Sequence, residues 1–217
     1  MIPGVMWARQ PRFKPPPPVL YPSATGTVVA GGTFTPTLTH PSPNRRLIIC
    51  MADGASASGI SSGLTVAGVA ATSLANTGSS NAGSGAIFTV NNPTDTAPAC
   101  VFSASGSATW VYTVYEIDNG AALTPTGAGG GIAVSSPQSR TLTAGSAGMM
   151  FAAGGSYGPS GNAISWSAGM TPYTDTLVFS GANTGRGSSA YRTGATGSQT
   201  VTFTRASSTV ALSIATL

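Results

Sequence analysis

The last run of the chain, Thr209 to Thr216, sets Val210, Leu212 and Ile214 in alternation with Ala211, Ser213 and Ala215. Successive side chains of a β-strand point to opposite faces, so the first set is expected to face a core and the second to turn away from it. The same two-residue period returns along most of the sequence, in runs bounded by Gly, Ser, Asn and Pro. It predicts strands over 25–30, 32–39, 45–52, 63–68, 84–91, 98–104, 108–117, 131–136, 139–144, 147–153, 163–167, 174–180, 188–193, 199–205 and 209–216. No window of helical period competes with them. Glu, Lys and Gln are scarce, while Gly (29) and Pro (16) are abundant, which also disfavours long helices. With 41% hydrophobic and only 6% charged residues the chain is too apolar for intrinsic disorder. Its glycines have no collagen period, and no apolar run approaches the ~18 residues of a membrane span. The fold class that remains is all-β.

Charge divides the chain unevenly. Residues 1–52 hold Arg9, Arg12, Lys14, Arg45 and Arg46 and no acid; the rest hold four arginines against five acids. The net charge of +4 therefore belongs to the N-terminal segment. Five dispersed charges on an arm lack the basic stripe interleaved with aromatics that a nucleic-acid surface needs, so neither nucleic acid nor membrane is expected as a partner. Pro15 to Pro18 enforce a polyproline II stretch rising ~3.1 Å per residue, so twenty residues could reach roughly 60 Å. This segment also carries Trp7, Arg9, Gln10, Arg12 and Phe13, a set rich in the residue types that dominate interface hot spots and that a passive spacer does not require. Residues 1–44 read as an extended arm with linker strands that docks through residues 1–20. There is no apolar core of a secretory signal in the first twenty residues.

The body, residues 45–217, contains a repeat. Leu47-Ile-Ile-Cys-Met-Ala-Asp-Gly-Ala-Ser56 aligns with Gly148-Met-Met-Phe-Ala-Ala-Gly-Gly-Ser-Tyr157, and Gly63–Gly68 aligns with Ala163–Ala168. Phe102 to Ile117 aligns with Phe203 to Leu217, all at offsets of about 100 residues. Halves at about 45–120 and 146–217 follow, joined by a linker over 121–145 that includes Gly127-Ala-Gly-Gly-Gly131. In the first half Trp110, Tyr112 and Val114 should face inward, matching Val210, Leu212 and Ile214. Val111, Thr113 and Tyr115 then form a second face that needs cover from Thr25–Thr39 or from another subunit. Two four-stranded units, each with an apolar face, are expected to close into a single jelly-roll-like sandwich.

The opening apolar strand Arg46–Ala52, and the stretch Ala190-Tyr-Arg-Thr-Gly-Ala-Thr-Gly-Ser-Gln-Thr-Val-Thr-Phe-Thr-Arg205 before a final apolar strand, resemble a jelly-roll module of bacteriophage structural proteins that is itself built of two similar halves. Trp7-Ala-Arg-Gln-Pro11 is similar to the short N-terminal anchors of phage appendage proteins. The chain departs from the module in having Ala67-Gly68-Val69 where a Gly-Trp pair is often found. The resemblance implies a virion protein whose arm contacts capsid, portal, adaptor or tail, and it implies a homotrimer.

Chemistry-bearing side chains are few. His40, the one histidine, lies in Thr39-His-Pro-Ser-Pro43 and reads as a turn residue, not the fixed base of a triad. Glu116 and Asp175 could form a cross-strand carboxylate pair of the kind glycoside hydrolysis uses, but five acids in the chain make that a poor fit. Cys50 and Cys100 make no metal motif, and reduced thiols are favoured over a disulfide. Asp118-Asn119-Gly120 reads as a turn with too few carboxylates for calcium. No catalytic residue, cofactor or metal is expected. Gly154–Asn162 and Ser180–Ser188 read as long polar loops, and their Tyr157, Asn183 and Arg186 are candidate contacts to a host-surface glycan or protein. The expected function is a non-enzymatic virion protein, a tail fibre, spike or head fibre in host adhesion. The alternatives are a capsid decoration protein and a carbohydrate-binding module or surface adhesin.

Overall fold

The computed structural model describes residues 16–54, 61–79, 82–91, 94–106, 108–133, 135–159, 162–167, 169–180, 182–206 and 208–217. Among these residues every regular element is a strand. The first half contains β1 (Val19–Val29), β2 (Thr33–Phe34), β3 (Arg46–Asp53), β4 (Ser61–Val66), β5 (Val69–Ala70), β6 (Thr72–Ser79), β7 (Gly83–Asn91), β8 (Cys100–Ala104) and β9 (Thr109–Asp118). The second contains β10 (Gly127–Ala133), β11 (Gln138–Thr143), β12 (Met150–Gly158), β13 (Ser165–Trp166), β14 (Thr171–Phe179), β15 (Thr184–Arg192), β16 (Ser198–Thr204) and β17 (Thr209–Thr216). All pairings are antiparallel, and they form four sheets: β1-β9-β3-β7-β6, β2-β8-β4-β5, β10-β17-β12-β15-β14 and β11-β16-β13.

The sheets stack as four layers around three cores, the two five-stranded sheets lying in the middle. Leu47, Ile49, Met51, Phe88, Trp110 and Val114 of the first large sheet pack on Phe34, Leu64, Val66, Cys100 and Phe102 of the small sheet above it. Met150, Ala152, Leu212 and Ile214 of the second large sheet pack on Val201 and Phe203 of the small sheet below. Edge-on contacts of Phe102 with Trp110 and of Phe203 with Trp166 anchor these outer cores, with ring centroids 5.0 and 4.9 Å apart. The third core lies between the two large sheets and contains Ile48, Cys50, Ile87, Tyr115, Ile117, Met149, Phe151 and Leu217. Because β3, β9, β12 and β17 are covered on both sides, they are buried along nearly their whole length.

This layering corrects several expectations. The halves do not close on each other into one eight-stranded sandwich; each has its own pair of sheets and its own core. The face of Val111, Thr113 and Tyr115 is covered within the chain by the second half, so it requires no other subunit and no cover from Thr25–Thr39. Residues 19–34 belong to the body, since β1 pairs with β9 and β2 with β8. The expected linker 121–145 contains two strands, and Gly127–Gly131 lies in β10, an edge strand paired along its length with β17. The alternation does not predict β6, because Thr72-Ser-Leu-Ala-Asn-Thr-Gly-Ser79 is a polar edge strand of weak period. Cys50 on β3 and Cys100 on β8 are free thiols, as expected, and lie in the two cores on either side of the first large sheet, which rules out a bond between them. Burial pushes the Cys100 thiol up to about 12 and raises that of Cys50 further.

At one end the two large sheets touch backbone to backbone. A Cβ on Gly155 would overlap the Asp53 carbonyl oxygen and lie 2.6 Å from the Ser84 nitrogen. One on Gly187 would lie 2.7 Å from the Ala52 oxygen, and Gly54, Gly83, Gly85 and Gly185 are similarly blocked by facing backbone. Ser213 Oγ donates to the Gly85 oxygen at 2.7 Å across this seam. Toward the opposite end the gap is filled by Tyr115, whose ring lies 5.3 to 5.7 Å from those of Phe151, Tyr173 and Tyr191. Its hydroxyl bonds Ser189, which donates to Thr113 at 2.8 Å.

Gly155→Ala should destabilise the fold by about 1–3 kcal/mol, since the methyl meets the rigid backbone of Asp53 and Ser84 across the seam. Gly63→Ala is the control, because a Cβ there meets no atom within 4 Å. It should change stability by no more than about 1 kcal/mol. Urea unfolding of the two variants checks the difference.

Candidate functional site

Strand direction gives the stack two distinct ends. The β1 start at Val19 pairs with the β9 end at Asp118, and the β12 start at Met150 pairs with Thr216. The Met149 and Leu217 backbones bond each other beside them. This end, the base, is where Pro16–Pro18 enter the body. The glycine seam marks the other end, the tip, about 30 Å away for strands of nine or ten residues.

The base is organised by Glu116, which is fully buried on β9. It accepts from Arg45 Nη1 at 2.7 Å and from the Thr39 and His40 backbone N–H groups at 2.9 and 3.1 Å. The buried Arg45 also donates to the Asp95 carbonyl. Burial alone would raise the Glu116 pKa, but the hydrogen bonds from Ser23, Thr39, Arg45 and His40 outweigh it and hold the carboxyl below its ordinary range. His40 is therefore more than a solvated turn residue. Its ring stacks on Tyr21 at 3.7 Å and Nδ1 lies 3.6 Å from Glu116, so the 35–45 connection is clamped onto β1 and β9. Beside it, Arg46 donates to the Gly120 and Ala121 carbonyls, and Asn44, Asn119, Ala121 and Ala122 line a cleft. Asn119 adopts φ 54° in the expected Asp118-Asn119-Gly120 turn.

Glu116 and Asp175 do not form a carboxylate pair. Each has its own arginine, Asp175 taking Arg186 Nε at 2.7 Å and the Ile164 N–H at 3.0 Å.

At the tip, the candidate contacts lie mostly on strands and not in loops. Tyr157 is near the end of β12 and Arg186 is in β15; only Asn183 occupies the turn between β14 and β15. The fold brings Tyr157 and Asn183 together. Asn183 Nδ2 donates to Tyr157 Oη at 3.2 Å, and Phe179, which the sequence pattern does not single out, lies with its ring 6.0 Å from that of Tyr157. The fully buried Arg205 ties the neighbouring turns, donating to the Asn162 carbonyl at 3.1 Å, to Ser156 Oγ at 3.0 Å and to the Thr184 carbonyl at 3.0 Å. Arg186 is turned into Asp175. The arm candidates Trp7, Arg9, Gln10, Arg12 and Phe13 lie outside the described residues.

Glu116→Gln should cost about 3–5 kcal/mol, because it strands the Arg45 charge in the interior. The Glu116 pKa is depressed in the folded state, so its contribution is complete above the ordinary carboxylate value of about 4.3 and disappears as pH falls through the lowered value. Thermal melts from pH 7 to 3 should show wild type losing its advantage over the variant only at the acid end.

No protein-family model matches the chain, and neither a curated protein nor a solved structure matches it.

Proposed function

We propose that the chain is a non-enzymatic structural protein of a bacteriophage particle, held by its N-terminal arm and projecting its stacked sheets outward as part of a tail fibre, spike or head fibre. The observation that carries this reading is the polarity of the stack. The N-terminal segment joins at the base, and the aromatic and amide cluster of Tyr157, Phe179 and Asn183 stands at the opposite end. An anchor and a contact surface at opposite ends of a rigid body suit an appendage. The use of the ionised groups supports a scaffold role: Glu116 with Arg45 clamps a connection, Asp175 with Arg186 braces an edge strand, and Arg205 ties two turns.

Within this reading each half is a jelly roll and the two are duplicates. Strands β1-β9-β3-β7 lying over β2-β8-β4-β5 have the interleaved order of that fold, with β6 added at the edge. The order β10-β17-β12-β15 over β11-β16-β13 repeats it, with β14 added at the edge and, among the described residues, no counterpart of β5. Cys100 and Val201, matched in the sequence repeat, are both buried in the outer core of their own half. Assembly into a trimer is supported by the low charge of the chain and by the family resemblance, no longer by the second face of β9.

Removing residues 1–15, which spares β1, should leave the melting temperature unchanged and eliminate the protein from purified particles. Trp7→Ala should weaken incorporation about thirty-fold, a hot-spot loss of about 2 kcal/mol. Quantitative mass spectrometry of particles reads both. Normal occupancy of the truncated chain would sink the anchor, and a copy number matching the shell subunits would favour a decoration protein.

A further inference from the structure

We infer that the tip of the second half is a saccharide-binding site that seats a neutral, hydroxyl-rich chain on Phe179, Tyr157 and Asn183. Phe179 ends the edge strand β14 and remains 41% exposed. Its ring and that of Tyr157 are tilted by 46° at 6.0 Å, so the two form a bent apolar surface and not a closed stack. Aromatic faces of this kind suit the C–H face of a sugar ring, which is apolar and rimmed by hydroxyls.

Asn183 supplies the polar complement. A side-chain amide offers two donor and two acceptor positions, and the bond to Tyr157 Oη uses one donor while fixing the orientation of the group. Adjacent hydroxyls of a sugar present donor and acceptor side by side, a pattern that the amide can match. The tyrosine hydroxyl accepts from Asn183 and keeps its own proton to donate.

The site is held ready before any ligand arrives. Arg205 joins the turn after β12 to the start of β15 through Asn162 and Thr184. Thr209 Oγ1 donates to the Tyr157 carbonyl at 3.0 Å, and Thr184 Oγ1 donates to that of Gly158 at 3.3 Å. Groups already ordered lose little entropy on binding. The charge of Arg186 is answered by Asp175, which argues for a neutral ligand over an anionic one. The inference deepens the proposed adhesion role and rests on that reading for the source of the ligand, a glycan of the host surface.

The full-length protein should be titrated calorimetrically with maltohexaose, cellohexaose, chitohexaose and mannohexaose, with a heparin hexasaccharide as the anionic comparison. Binding to at least one neutral probe is expected and none to heparin, with Phe179→Ala and Asn183→Ala each weakening affinity ten-fold or more at an unchanged melting temperature. No binding by wild type to any neutral probe, or wild-type affinity in both variants, would overturn the site. A Phe179→Ala protein that changes its mass in light scattering, with sugar affinity intact, would also overturn it and assign the ring to a subunit contact. Removal of residues 1–15 should leave sugar affinity unchanged. A chain that binds sugar at the tip but ignores the loss of its arm would refute the anchor alone, and a chain that anchors but binds no sugar would refute this site alone.

Discussion

Sheets that face each other are ordinarily held about 10 Å apart by the side chains between them. At the seam of this protein the spacer is missing: the backbone of Asp53 meets that of Gly155, and Gly54 meets Gly185 and Arg186. The layout of the whole stack follows from this contact. It allows the two large sheets to converge at the tip, where glycine leaves no side chain in the gap. Tyr115, Phe151, Tyr173 and Tyr191 fill the wider end. Side-chain hydroxyls then bond across the gap, as Ser213 does to Gly85, which satisfies a backbone oxygen buried by the convergence.

Convergence also determines where the chemistry sits. Because β12 and β15 extend to the tip through the seam, Tyr157, Asn183 and Phe179 are carried to the outer end of the second half. Arg205 is buried close to them, and its guanidinium is engaged by carbonyl and hydroxyl oxygens of three segments. At the base Arg45 and Glu116 are committed in the same way. Burying such a pair brings little net stability over an apolar one, but it selects a single placement for the 35–45 connection.

Strands that bury one or both faces are legible from their residues. β3, β9 and β17 are dense in apolar side chains, and the inward sets Trp110-Tyr112-Val114 and Val210-Leu212-Ile214 lie on the outer-core faces expected of them. β6 is not legible, because Leu74 and Ala75 bring its apolar contribution to the core and stand side by side between polar neighbours. The tip portions of β12 and β15 read as loops because glycine and serine are the residues both of turns and of close sheet contact. Phe179 escapes a sequence reading for a related reason: at the end of an alternating run it looks like core, and only the edge position of β14 leaves it exposed.

Local pattern is enough to establish the all-β class, the inward faces, and the basic, proline-rich character of the N-terminal segment. Each is set by alternation, by turn residues or by the φ restriction of proline, and none depends on distant parts of the chain. Three-dimensional assembly was needed to show that each half closes its own pair of sheets and that the second face of β9 is buried against the other half. It was needed also to bring Glu116 to Arg45 across 71 residues of chain. Those outcomes depend on which surfaces meet, and a two-residue period records that a face is apolar without recording what covers it.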